Sequence, residues 1–317
     1  MSNKERYNQF CSVKADLPVF FQPWWLDKVC IEGTWDVLLF EKNNLIMSVY
    51  PYYLKTRYKV FNLITMPPYT QFLGPYLIYP ENLKYFERVS YEKEVCNYFI
   101  KELPEFDIFI QFFNYNFSNW LPFHWQKFEQ TTYYSYVIRN ITDIEKVKSD
   151  FHPNKQQEKK KALKTVKTNF DLSAEDFFYF HKKTLEQQKQ RISYTLEFFK
   201  GIYEAALRNN SGKIIYAHND EKIYSALFFI WDRNSGYNLI TASDSDFKKS
   251  GALSLIISEA IAFLSDKTKM YDFEGSMNEN YEFSYRQFGG SQQPYFQIKK
   301  TNSFFIKMLE LIIPRNN

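Results

Sequence analysis

Glycine is scarce in this sequence, with nine residues in 317, and twelve prolines do not make up for it. Fibrous, collagen-like and low-complexity chains are thereby excluded. Cysteine is scarcer still: Cys11, Cys30 and Cys96 are odd in number, far apart, and form no CxxC pair. Such cysteines read as buried thiols in a reducing compartment. The four histidines, His124, His152, His181 and His218, fall in neither HxH nor HExxH spacing, so no metal site is expected. GxSxG and GxxxxGK[ST] are both missing, which removes the commonest hydrolase and nucleotide-triphosphatase readings. Excess charge of one sign is also lacking; a net charge of +4 gives little support to a global nucleic-acid-binding role. No uncharged run reaches the ~20 residues of a membrane span. The start, "MSNKERYNQFCSVKADLP", has no apolar signal-peptide core. A cytoplasmic protein is the expectation.

What the chain has in abundance is aromatic surface. Phe, Tyr and Trp make up 20% of it, with 32 Phe and 25 Tyr. Flat, large side chains suit pleated surfaces and wide clefts. Strand and helix signals follow one another twice. "FFQPWWLDKVC" (20–30) reads as a short helix with Pro23 in its first turn. "WDVLLFEKNNLIMSVYPYYLKT" is a hairpin around "EKNN". A further strand, a proline-rich loop, a helix near 83–102 and the buried strand "DIFIQFFNY" (107–115) complete one α/β unit.

The second half repeats that plan. The polar helix within "EKVKSDFHPNKQQEKKKALKTV" precedes two amphipathic helices, "AEDFFYFHKKTLEQQ" and "TLEFFKGIYEAALRNN". Three strands follow in "KIIYAHNDEKIYSALFFIWDRNSGYNLITAS", then the helix "GALSLIISEAIAFLSDKT", the strand "KMYDFEGS" and a last strand, "YFQIKK". Periodicity breaks near 117–136, and the expected domains are 1–135 and 136–317. The fold class is α/β (α+β): two domains of mixed, mostly antiparallel sheet flanked by helices.

The polar cluster "YDFEGSMNENYEFSYRQFGG" (271–290) stands out. Read as a strand, it places Asp272, Glu274 and Ser276 on one face. If that face lines a cleft, Glu274 is the candidate general base or amine ligand; otherwise these residues form a wet edge, or Ser276 caps the next helix. Arg286, near Tyr281 and Tyr285, would clamp a carboxylate or phosphate, or else pair with Glu279 or Glu282. Gly289-Gly290 supplies a helix C-terminus. The run Lys155–Lys167, six lysines against Glu158, is either a solvated face or a phosphate-binding one. "MPPYTQFLGPYL" (66–77) carries Tyr69, Gln71 and Tyr76 on a proline-stiffened loop, one wall of an acceptor cleft or a plain connection. The tail "SFFIKMLELIIPRNN" gathers Phe304, Phe305, Met308, Leu309, Ile312 and Ile313 on nearly one face, to pack on the domain or to rest on a membrane.

Three antiparallel strands, a loop, a helix and another strand is the core order of the GNAT acyltransferase superfamily. The loop "SDSDFKKSGALS" (243–254) meets that superfamily's donor pattern in part: Lys248 is the basic residue, Gly251 matches, and Leu253 stands where the pattern has a small residue. With "TASDSDFKKSGALSLIISEAI", "YDFEGSMNENYEFSYRQFGGSQQPYF" and "NKQQEKKKALK", the sequence resembles the FemAB-like branch, whose members carry two tandem GNAT domains. The match covers most of 150–300; "FFQPWWLDKV" and "MPPYTQFLGPYL" extend it more loosely into the first half. No room exists for the long coiled-coil arm of the peptidoglycan-bridge ligases.

The resemblance implies an acyl or aminoacyl transferase with no permanently bound cofactor. Acyl-CoA, an acyl carrier protein or an aminoacyl-tRNA would be the donor, and an amino group of a cell-envelope precursor, small or lipid-linked, the acceptor. It assigns Lys248, Lys249, Ser250, Gly251 and Ala252 to the donor, and Asp272, Glu274 and Ser276 to catalysis. Tyr69, Gln71, Asp244, Tyr281 and Arg286 would touch the substrate. The location would be the cytoplasm, at the inner face of the membrane if the C-terminal helix touches lipid. The alternative is a catalytically inactive GNAT-fold protein that binds an envelope component or a protein partner.

Overall fold

The computed structural model describes residues 1–14, 16–275 and 277–312, with side chains of the last helix as far as Met308. Two compact units divide the chain. Unit 1 takes residues 1–15, 20–133 and 294–317; unit 2 takes 16–19 and 134–293. The sequence reading grouped 136–317 together, whereas the last strand and helix belong with unit 1.

Unit 1 begins with α1 (Asn3–Val13), whose Ser2 and Glu5 form a capping box, and α2 (Pro23–Val29). A meander follows: β1 (Thr34–Lys42), β2 (Leu45–Arg57) and β3 (Phe61–Thr65), with the short β4 (Tyr76–Leu77) against β2. Lys42 pairs with Leu45, so Asn43 and Asn44 alone make the first turn, at φ 52° and 63°. Asn tolerates that left-handed region, which is why "EKNN" was legible as a hairpin. Then come α3 (Tyr85–Glu102), β5 (Ile108–Phe113) and α4 (Leu121–Trp125). β5 lies parallel to β3, and its alternating burial turns Phe109 and Phe113 into an aromatic core with Tyr50 and Phe99.

Unit 2 opens within β6 (Glu129–Ile138), followed by α5 (Ile144–Ser149), α6 (Pro153–Ala162) and β7 (Lys167–Asn169). Pro153 splits the expected polar helix in two, because proline suits a first turn and not a helix interior. α7 (Ala174–Gln187) and α8 (Leu196–Arg208) precede the meander β8 (Gly212–His218), β9 (Ile223–Trp231) and β10 (Ser235–Ser243). α9 (Ala252–Leu264) leads to β11 (Met270–Asp272) and α10 (Glu279–Arg286). β9 is buried from Ser225 to Trp231 without a break, since helices cover it on both sides. α9, apolar on most of its circumference, is correspondingly a core helix.

The chain then returns to unit 1 as β12 (Ser291–Thr301) and α11 (Phe304–Ile312). In each unit an antiparallel meander is followed by a helix and a strand parallel to the meander's last member. The next strand comes from elsewhere in the chain: β12 pairs with β5, and β6 pairs with β11.

Candidate active site

The site in unit 2 arises where two parallel strands part. β10 and β11 pair only at Ser235–Met270, Gly236–Tyr271 and Tyr237–Asp272. β10 runs on to Ser243, with a register shift between Tyr237 and Ile240. Past Asp272 the chain turns to the other side, and the Phe273 N–H donates to the Tyr136 carbonyl of β6 at 3.0 Å. At the fork itself the Tyr271 hydroxyl donates to Asn238 Oδ1 at 3.1 Å.

Glu274 and Gly275 occupy the left-handed region, at φ 60° and 61°. The expected strand face of Asp272, Glu274 and Ser276 therefore does not form. Alternation needs extended backbone, and the strand stops at Asp272; Ser276 lies outside the described residues. A turn does the work instead. Asp272 Oδ1 accepts the Glu274 N–H at 2.8 Å and the hydroxyl of Ser135 on β6. Gly275 is required for this approach: a Cβ there would lie 2.4 Å from the Tyr134 carbonyl oxygen and 2.9 Å from Ser135 Cα.

Glu274 is half-buried, but its Oε1 is sealed from solvent and has no hydrogen-bond partner among the described residues. Burial drives this carboxyl well above the usual carboxylate range, and the negative Asp272 beside it adds to the rise. The Tyr285 phenol is pushed up by burial first and then by Glu274, so it faces the same carboxyl. Tyr285 stacks on Phe273 at 5.0 Å, and Tyr281 on Tyr285 at 6.4 Å. A carboxyl whose charged form is disfavoured by its surroundings is a stronger base, once ionised, than an ordinary carboxylate.

The loop before α9 is built against α6. Gly251, at φ 84°, precedes the helix, and a Cβ on it would meet the Glu158 carbonyl oxygen at 2.1 Å. Glu158 also receives the Ser254 hydroxyl and pairs with Lys155 at 3.0 Å. The Lys161 ammonium donates to the Lys249 carbonyl at 2.6 Å. Gly251 thus serves helix packing, a need the sequence pattern did not express. Ser250 Oγ accepts the Ala252 N–H at 3.1 Å. The next two first-turn amides lack intrahelical acceptors by position and carry the positive end of the helix dipole. Lys248 and Lys249 are exposed beside them. Of the six lysines from 155 to 167, Lys155 is buried over Phe288 and Lys159 half-buried over Phe151, whereas Lys160, Lys161, Lys164 and Lys167 face solvent.

Other candidates fall elsewhere. Asp244 is buried and engaged, pairing with Lys183 at 2.8 Å, accepting from Gln187 at 3.0 Å and capping the turn at Asp246. Burial pushes its carboxyl up, but Lys183 and the other donors outweigh this and hold it below the usual range. Lys183 and Gln187 thus engage both of its carboxylate oxygens. Arg286 sits 3.6 Å from Glu282 and 4.9 Å from the Phe283 ring, the pairing alternative of the sequence reading. Tyr69 and Gln71 belong to unit 1, half-buried rather than exposed. There the fork between β3 and β5 is closed by this very loop, as the Leu73 N–H bonds the Phe112 carbonyl at 2.8 Å.

Sequence reading missed Ser135 and Asn238, for which no local signal exists. Tyr285 was within reach, since its four-residue spacing from Tyr281 puts both rings on one helix face beside the acidic turn.

The family model for the acetyltransferase (GNAT) domain matches residues 154–283. No curated protein sequence matches the chain. Among solved structures, FemX superposes with a TM-score of 0.70 at 9% identity, covering 97% of this chain and 98% of FemX. The C-terminal domain of a putative lysylphosphatidylglycerol synthetase from Agrobacterium fabrum gives 0.55 at 10% identity, covering 98% and 95%. A tandem GNAT protein from the clavulanic acid biosynthesis pathway gives 0.52 at 5%, covering 87% and 93%. The likeness to the FemAB-like GNAT branch thus rests on a matched domain and on a shared fold.

Proposed function

We propose that this chain, a FemAB-like GNAT fold with its family match at residues 154–283, is an acyl or aminoacyl transferase. It moves an acyl group from a thioester or an aminoacyl-tRNA to an amino group of a cell-envelope precursor. The observation that carries the reading is Glu274: a carboxyl beside the fork of β10 and β11 whose Oε1 is sealed from solvent, unpaired among the described residues, and whose pKa burial and Asp272 raise well above the usual carboxylate range. The ionised Glu274 takes a proton from the acceptor ammonium. The freed nitrogen attacks the donor carbonyl, the carbon–sulfur or carbon–oxygen ester bond breaks, and the leaving thiolate or alkoxide takes up the proton that the nitrogen sheds on becoming an amide. The α9 amides with Lys248 and Lys249 hold donor phosphate, and Lys161 adds charge beside them. The neighbour named for lysylphosphatidylglycerol synthesis supports an envelope acceptor.

A GNAT-fold binding protein without activity is the second reading. What favours it is Gly251, already accounted for by the Glu158 carbonyl. Thermal shift separates the two. A true donor at a hundred times its Kd contributes about 2.7 kcal/mol, or roughly 5–10 °C in Tm for a cooperative unit the size of unit 2. Acetyl-CoA, longer acyl-CoAs and aminoacyl-tRNA are the probes; no shift with any of them favours the binding protein.

A further inference from the structure

Unit 1 exposes two apolar segments side by side. The β2–β3 hairpin turns through Tyr58, Lys59 and Val60, with Tyr58 and Lys59 left-handed at φ 53° and 59°. Tyr58 and Val60 are 75% and 67% exposed at this turn. α11 adjoins it, because Phe305 stacks on Phe61 with centroids 6.3 Å apart and planes at 5°. On α11, Phe304, Phe305 and Met308 are 78%, 60% and 45% exposed. Five large apolar side chains from two segments therefore stand in water beside one another.

Their charged neighbours are mainly cationic. Arg57, Lys59 and Lys307 are all exposed, and the Arg57 guanidinium lies 5.2 Å from the Tyr58 ring centre. Residues 57–61 and 303–312 carry these three cations against one acid, Glu310. The Asp107 carboxylate also accepts the Asn62 N–H at 2.8 Å. Aromatic groups beside an excess of cations match the headgroup layer of an anionic bilayer, where rings reach the acyl boundary and ammonium groups meet phosphate. A second copy of the same face would set cation against cation and is disfavoured. No helix among the described residues is long and apolar enough to cross a membrane, so the contact is peripheral.

We propose that the hairpin turn and α11 together form a docking surface for an anionic lipid bilayer. The proposal rests on the envelope acceptor of the proposed function, but its binding is measured without turnover and stands or falls apart from Glu274. The test is co-sedimentation of the full chain with phosphatidylglycerol/phosphatidylcholine vesicles and with phosphatidylcholine alone. The wild type is expected to bind the anionic vesicles, and less so at about 0.5 M salt. Tyr58→Ser with Val60→Ser, and separately Phe304→Ser with Phe305→Ser, should each lower partitioning at least about 10-fold. Lys59→Gln with Lys307→Gln, which leaves the apolar groups in place, should lower it about 25-fold on anionic vesicles. Unchanged circular dichroism and Tm would show that these surface variants fold. Failure of the wild type to bind anionic vesicles overturns the proposal, as does binding that all three variants retain. A wild-type dimer broken by the same variants, with no vesicle binding, would overturn it in favour of a second copy.

Discussion

Glu274→Gln is expected to lower turnover about 10²–10⁴-fold, the usual contribution of a positioned general base. The amide keeps the size of the side chain and its neutral form, and loses only the ability to take a proton. Donor binding, read by thermal shift, should be unchanged. The wild-type rate should rise with pH as Glu274 ionises, along a limb displaced upward from the ordinary carboxylate range, and the variant should lack that limb. Stability gives an independent reading with the sign fixed. The native pKa of Glu274 lies above its unfolded value of about 4.3, so the folded state holds a proton that the unfolded state has lost. That contribution is complete below about pH 4 and disappears as pH rises through the native pKa. Glutamine stays neutral throughout. The variant should match wild type near about pH 4 and melt higher near about pH 8. Turnover persisting in the variant would remove Glu274 from the chemistry.

The second large effect belongs to Gly251. An alanine there places its Cβ 2.1 Å from the Glu158 carbonyl oxygen, in backbone at φ 84°. Left-handed strain costs about 1–3 kcal/mol and overpacking about as much again, and neither contact atom is a flexible side-chain end. A Tm loss of roughly 5–15 °C is expected. Relief requires α6 to back away from α9, which would part Lys161 from Lys249 and disturb the loop. Glu158→Ala offers a contrast: it keeps the carbonyl and loses only the Ser254 and Lys155 contacts, so its loss should be smaller. An unaltered Tm for Gly251→Ala would mean that α6 does not sit there in solution.

Much of the fold was readable because its signals are local. Asn43-Asn44 turns a hairpin through residues that tolerate left-handed φ, and the apolar run 251–264 closes on itself as a core helix. The acidic turn after β11 was visible as a cluster, though the reason offered for it was wrong. Alternation was read through Glu274, where the backbone is left-handed. Nothing in "DFEGS" distinguishes a strand from a turn until the Asp272 side chain is seen bonding the Glu274 amide. Asp244 shows the converse case. It looked like a loop residue facing a ligand, and its partners Lys183 and Gln187 lie about sixty residues earlier in the chain.

By itself the sequence determined the two meanders with the helix and strand that follow each, the place of the acidic turn and the likeness to a tandem acyltransferase. Those properties depend on spacings of two to four residues, which one stretch of chain records without help. Only the tertiary structure decided that β6 and β12 serve opposite units, that Ser135 reaches Asp272 across 137 positions, and that Gly251 yields room to α6. Contacts of that range have no period to read. They exist because folded surfaces must fill space and pair their buried polar atoms, and that condition is set by the whole molecule.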